Sequence, residues 1–134
     1  MTRILVVHDD PRLRHSPGLP LAEAGYAVVA EGDPVRALEL AQADPMDLIL
    51  CDVRMPGIDG REFVRRYRAA GGAALVVVMS AYGNEDAALE VIREGAYDYL
   101  HKPFRPDEVL FTLRKAEERE RLRREVAELR ATVA

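Results

Sequence analysis

Five short apolar runs, at 4–7, 26–30, 48–51, 75–79 and 97–100, punctuate this chain, and between them the apolar residues recur at helical spacing. That switching of period is the strongest constraint on the fold. Runs this rich in Ile, Leu and Val predict strands covered on both faces, as in a parallel sheet. The intervening stripes predict helices. Asp33-Pro34 reads as an N-cap and first-turn proline leading to Ala37, Leu38 and Ala41. Asp59-Gly60 opens a second helix with Phe63, Val64 and Tyr67 on one stripe, and Asn84 caps a third carrying Ala87, Ala88, Val91 and Ile92. Alternation of β and α predicts an α/β layered fold.

Two segments depart from this regularity. Between the first two strands, Pro17, Gly18 and Pro20 follow Pro11; proline inside a helix costs about 3 kcal/mol, so residues 12–24 are expected to form a broken or shortened helix. After Pro106 no Gly or Pro occurs, and one long helix is expected. Its start, with Val109, Leu110 and Leu113, faces the core. Further on, Leu122, Val126, Leu129 and Val133 alternate at spacings of four and three, a coiled-coil seam of two heptads. Glu117 with Arg121, and Glu120 with Arg124, stand at favourable i,i+4 spacing. A lone amphipathic helix of this length is marginal in water, so a homodimer through it, parallel in orientation, is expected. The boundaries follow: a domain over 1–118 and a linker or coiled-coil helix over 119–134.

Composition narrows the class. With 49% apolar and 31% charged residues over 134 positions, the chain reads as one globular domain plus an extension, not as a disordered segment. Its longest strongly apolar run, 73–79, is far short of the roughly 20 residues that span a bilayer, and residues 1–7 lack a signal-peptide pattern. A single cysteine, Cys51, reads as a small buried residue and fits a reducing cytoplasm. Net charge is −5 over 1–104 and +1 over 105–134, with no basic face for a nucleic-acid backbone. The expected chain is cytoplasmic, without direct membrane or nucleic-acid binding.

The polar clusters fall at or just after the ends of predicted strands: His8-Asp9-Asp10 follows the first, Asp52 ends the third, Ser80 follows the fourth, and Lys102-Pro103 follows the fifth. In open parallel sheets the carboxyl ends of strands share the ligand-binding edge, so these groups are expected to converge. Carboxylates there suit a hard divalent cation, most simply Mg²⁺. A lysine and a hydroxyl suit the oxygens of a phosphoryl group. Of the aromatic residues nearby, Tyr97 and Tyr99 alternate along a strand, so one is expected to be packed and the other at the surface.

The chain resembles the receiver domain of two-component response regulators over residues 3–118. The resemblance rests on the start Ile4-Leu5-Val6-Val7-His8-Asp9-Asp10-Pro11, on Asp52-Val53-Arg54-Met55-Pro56-Gly57-Ile58-Asp59-Gly60, on Ser80-Ala81, and on the run from Gly95 through Lys102-Pro103-Phe104. It implies a flavodoxin-like, doubly wound, five-stranded parallel sheet in the order 2-1-3-4-5. It implies that Asp52 is the phosphoacceptor, that Asp9, Asp52 and the backbone carbonyl of Arg54 hold Mg²⁺, and that Lys102 and Ser80 meet the phosphoryl group. His8 and Asp10 stand as further candidates around the metal. Tyr99 matches the aromatic switch, and Pro103 a proline after a cis peptide.

The implied protein is a signalling phosphoacceptor that catalyses only its own phosphorylation and dephosphorylation. A sensor histidine kinase would supply the phosphoryl group, and an output module outside this chain, such as the AAA+ ATPase of sigma-54-dependent activators, would receive the switch. One departure lies in the site: the family usually carries an acid where His8 stands. Loss of that acid is expected to weaken Mg²⁺, unless the imidazole is simply hydrogen-bonded to a neighbouring carboxylate. The rivals are a phosphorylation-independent dimerisation scaffold, a flavodoxin-like cofactor binder, and a haloacid-dehalogenase-like phosphatase. The last wants a second acid two residues after its nucleophile, where this chain has Arg54.

Overall fold

The computed structural model describes residues 2–8, 22–55, 57–81, 83, 85–102 and 106–133. Among the described residues the elements run in the order β1 (Arg3–Val7), β2 (Ala27–Glu31), α1 (Pro34–Ala43), β3 (Leu48–Asp52), α2 (Gly60–Ala69), β4 (Leu75–Ser80), α3 (Glu85–Arg93), β5 (Asp98–His101) and α4 (Pro106–Val133). The sheet order is β2-β1-β3-β4-β5 and every pair is parallel, as the strand chemistry required.

Successive residues of each strand divide between two cores. Leu5, Val7, Ile49, Cys51, Val76 and Val78 meet α1 to α3 through Ala37, Leu38, Phe63, Val64, Tyr67, Ala88 and Val91. Ile4, Val6, Leu48, Leu50, Val77, Met79 and Leu100 meet Val109, Leu113 and Ala116 of α4 on the opposite face. Each large side chain so buried stabilises the fold by about 1.5–3 kcal/mol, which is why the sheet is a continuous apolar layer between helices. Asp33 caps α1 by accepting from the Val35 N–H, with Pro34 in the first turn, and Asp59 caps α2 by accepting from the Glu62 N–H. Of the third helix's expected stripe, Ala88 and Val91 are buried and Ala87 and Ile92 half-buried, while its expected cap, Asn84, lies outside the described residues.

Several boundaries differ from expectation. Tyr26 and Tyr97 precede their strands, although the Tyr97 N–H already donates to Val76 O at 2.7 Å. Asp52 ends β3 as expected, whereas Ser80 is the last residue of β4 and does not follow it, because burial of the strand continues through its hydroxyl. Tyr97 and Tyr99 are both half-buried, and neither lies at the surface: residues two apart would share a strand face, but Tyr97 precedes β5 and packs against the core under α4, while Tyr99 packs against the opposite core. Glu117 does not pair with Arg121. Its carboxylate lies by Tyr26, where it and, above all, burial raise the tyrosine pKa, while Arg121 pairs with Glu118 and Glu125; Glu120 and Arg124 do meet, at 3.6 Å. Apart from Ala22 and Glu23, which are helical, and the turn at Ala24, the expected broken helix over 12–24 lies outside the described residues, Pro17 and Pro20 included.

The last helix carries two stripes. Val109, Leu113 and Ala116 are buried against the sheet, whereas Leu122, Val126 and Leu129 are 45–65% exposed. At about 100° per residue, the six positions from Ala116 to Leu122 turn the helix through about 240°, so the seam is not a continuation of the core stripe. Every residue from 121 to 132 is exposed. No described helix is long and apolar enough to cross a membrane.

Candidate functional site

Parallel pairing brings the carboxyl ends of four strands to one edge. His8 leaves β1, Asp52 and Ser80 end β3 and β4, and Lys102 leaves β5. The Lys102 N–H donates to Ser80 O at 2.8 Å, which fixes the lysine backbone beside β4. From there its ammonium donates to Asp52 Oδ2 at 2.7 Å. His8 Nε2 lies 2.9 Å from the same Oδ2, and Lys102 Nζ and His8 Nε2 are 2.9 Å apart. His8 and Asp52 are only 3% and 5% exposed, so these contacts are screened little by solvent.

Burial raises the pKa of the Asp52 carboxyl, but hydrogen bonds from His8 and Lys102, helped by their charge, outweigh it and hold the group below its ordinary value of 3.8. The carboxylate is therefore the stable form. Burial has the opposite result at neighbouring Cys51, whose thiol is pushed well above its usual range and is thereby kept inert.

Asp52 Oδ1 receives the Arg54 backbone N–H at 3.4 Å, and the Arg54 side chain is exposed. At the end of β4, Ser80 Oγ is fully buried and has no hydrogen-bonding partner among the described residues. Such an orphan costs about 1–3 kcal/mol unless something arrives to meet it. Tyr99 lies opposite Val78 in the ladder, half-buried, with its ring edge-on to His101 at 5.1 Å. Asp9, Asp10 and Pro103 lie outside the described residues.

Asp59-Gly60 reads in sequence as a turn and cap, and the structure adds a reason for the glycine. A Cβ at Gly60 would stand 2.7 Å from Asp52 O and 3.0 Å from Val53 Cα, both backbone atoms. Only the bare backbone lets the start of α2 close on the end of β3, where the Gly60 N–H donates to Val53 O at 2.7 Å. The Asp52 carboxylate oxygens suit a hard cation, but the described groups against them are nitrogens: the Arg54 N–H at Oδ1, and His8 Nε2 and Lys102 Nζ at Oδ2. Among the described residues there is no group of three or more His, Cys, Asp or Glu that could hold a metal.

A family model, the response regulator receiver domain, matches residues 4–114. The chain belongs to this family. Its relatives include the C4-dicarboxylate transport transcriptional regulatory protein DctD of Pseudomonas aeruginosa, 38% identical over 134 residues, which are 99% of this chain and 29% of that protein. Among solved structures, NtrX from Brucella abortus superposes with a TM-score of 0.91 at 30% identity, covering 96% of this receiver and 30% of that chain. The chemotaxis response regulator CheY4 of Vibrio cholerae gives 0.80 at 31% identity, covering 87% and 98%. This receiver thus spans less than a third of DctD and nearly all of CheY4.

Proposed function

We propose that Asp52 accepts a phosphoryl group from the phosphohistidine of a sensor histidine kinase. The observation that carries this is the buried Asp52–Lys102 pair with the unpartnered Ser80 hydroxyl at the adjoining strand end. An oxygen of the Asp52 carboxylate attacks phosphorus and an O–P bond forms. The N–P bond of the donor breaks, and its electron pair stays on the imidazole nitrogen, which takes up a proton. Lys102 is held where it can neutralise phosphoryl charge, and Ser80 Oγ has a hydroxyl to donate to a phosphoryl oxygen. Asp52, Asp9 and the Arg54 carbonyl would hold Mg²⁺, with Asp10 nearby; the bound ion supplies further neutralisation of the phosphoryl oxygens.

Phosphorylation then biases two pre-existing arrangements of the surface made by α3, β5 and α4, with Ser80 and Tyr99 as the moving parts. Residues 1–118 act as the switching unit in the cytoplasm. Residues 119–134 act as the coupling helix, handing the switch to an output module that regulates transcription, such as an AAA+ ATPase. The seam of that helix supports a homodimer. Positions flanking it alternate in sign: Glu118 and Glu125 on one side, Arg123 and Arg130 on the other. In a parallel pair Glu118 of one copy faces Arg123 of the other, and Glu125 faces Arg130; an antiparallel pair sets like charges together.

Treatment with acetyl phosphate and Mg²⁺, followed by intact-mass and peptide mass spectrometry, tests the reading. One added phosphoryl group on Asp52, absent from Asp52→Asn, is expected. Its absence from the native chain would point to a phosphorylation-independent scaffold. Light scattering should give a dimer for the full chain and a monomer for one ending at Glu118.

A further inference from the structure

Lys102 Nζ, His8 Nε2 and Asp52 Oδ2 form a closed triangle with sides of 2.7, 2.9 and 2.9 Å. Its three sides cannot all be hydrogen bonds at once. Nε2 either carries a hydrogen and donates to Oδ2, or offers its lone pair to the Lys102 ammonium. In the first arrangement two nitrogens draw on one carboxylate oxygen. In the second the ammonium bridges ring and carboxylate. Both arrangements hold the ring, 3% exposed, against Oδ2, so a cation that took this oxygen would have to displace it. An acid at position 8 would repel the acceptor carboxylate and open the same space to a cation. The imidazole closes it.

We propose that His8 is a positioning residue that clamps unphosphorylated Asp52 to Lys102, so that a divalent cation binds only by loosening the clamp. This rests on the reading of Asp52 as acceptor and cation ligand. It separates two explanations of weak cation binding: a missing acid, or a ring in the way. If the ring is the obstacle, removing it strengthens binding even when no acid replaces it.

Mg²⁺ is titrated calorimetrically into the full chain at one fixed pH, in the native form, His8→Ala and His8→Asp. The clamp requires both variants to bind more tightly than the native chain, on the order of tenfold, the size of effect typical of groups that orient a metal ligand. His8→Ala binding no more tightly than the native chain would overturn the proposal, whatever His8→Asp does. A second measurement uses only the native protein. The imidazole nitrogen and carbon resonances of His8 are expected to move as Mg²⁺ saturates the site, and resonances that stay in place would also overturn it. Acetyl phosphate labelling of the same three forms keeps the two readings apart. No label on Asp52 in any form, with the affinities ranked as expected, removes the acceptor reading and still supports the clamp.

Discussion

The two ends of the sheet treat polar groups differently. At the amino end several backbone and side-chain groups meet fixed partners, and the orphans among the described residues are one carboxylate oxygen each of the half-buried Glu117 and Glu120 on α4. The Tyr67 hydroxyl accepts from the Ala74 N–H at 2.9 Å, and the Arg68 guanidinium donates to Gly72 O and Gly95 O at 3.0 and 2.9 Å. The Arg3 N–H donates to Asp47 Oδ2 at 2.8 Å. At the carboxyl end two nitrogens crowd one oxygen of Asp52, while the Ser80 hydroxyl has no partner among the described residues. Native interiors rarely leave such mismatches. At the carboxyl end the orphan is a fully buried hydroxyl next to a buried carboxylate, and there a further group is expected to bind.

Two glycines, one at each end, offer the sharpest way to break this contrast. A Cβ at Gly60 meets the Asp52 and Val53 backbone, whereas one at Gly72 meets the Tyr67 ring at 2.3–2.5 Å. Both Gly60→Ala and Gly72→Ala are expected to lower stability by about 1–3 kcal/mol, the usual cost of overpacking, as read by urea denaturation. Only Gly60→Ala should also slow acetyl phosphate labelling, because it displaces the carboxylate end of β3. Equal labelling rates for both variants would mean that the approach of α2 does not position Asp52.

A smaller loss is expected for Arg68→Ala, which removes two charge-assisted bonds to carbonyls: about 1–2 kcal/mol with labelling unchanged. The smallest effect is expected on acidification. Asp52 titrates below its ordinary value in the folded chain, so its contribution to stability is present above about pH 4 and is lost as pH falls through the still lower folded value. The stability difference between the native chain and Asp52→Asn should therefore shrink between about pH 6 and pH 3. A difference that stays constant over that range would contradict the ion pair.

What was readable in the sequence followed from apolarity. The strands, their parallel arrangement and the caps at Asp33 and Asp59 stand where the pattern placed them, since one-sided or two-sided burial leaves a period behind. Ser80 falls one residue outside its expected strand because a hydrophobic pattern cannot register a buried hydroxyl. The convergence of His8, Asp52, Ser80 and Lys102 was legible from their positions at or just after strand ends. Their bonding was not: an imidazole within 2.9 Å of both the carboxylate and the ammonium depends on strand ends that only the folded sheet brings together. The two tyrosines of the β5 region reach opposite cores because Tyr97 stands just before the strand, and a spacing of two, which is the same-face period, does not show that.

Helix α4 is continuous from the core to the seam, with the Arg119 guanidinium 4.9 Å above the Tyr97 ring and Arg124 reaching Asp47 at 4.0 Å along the way. Mechanically it is a pointer with its pivot in the domain. From Ala116, the last buried residue, to Val133 the axis extends about 25 Å, so a tilt of about 10° at the pivot swings the far end by roughly 4 Å. A side-chain-sized adjustment under Val109 and Leu113 thus arrives at the tip as nearly the rise of a full helical turn, large enough to put one seam out of step with another.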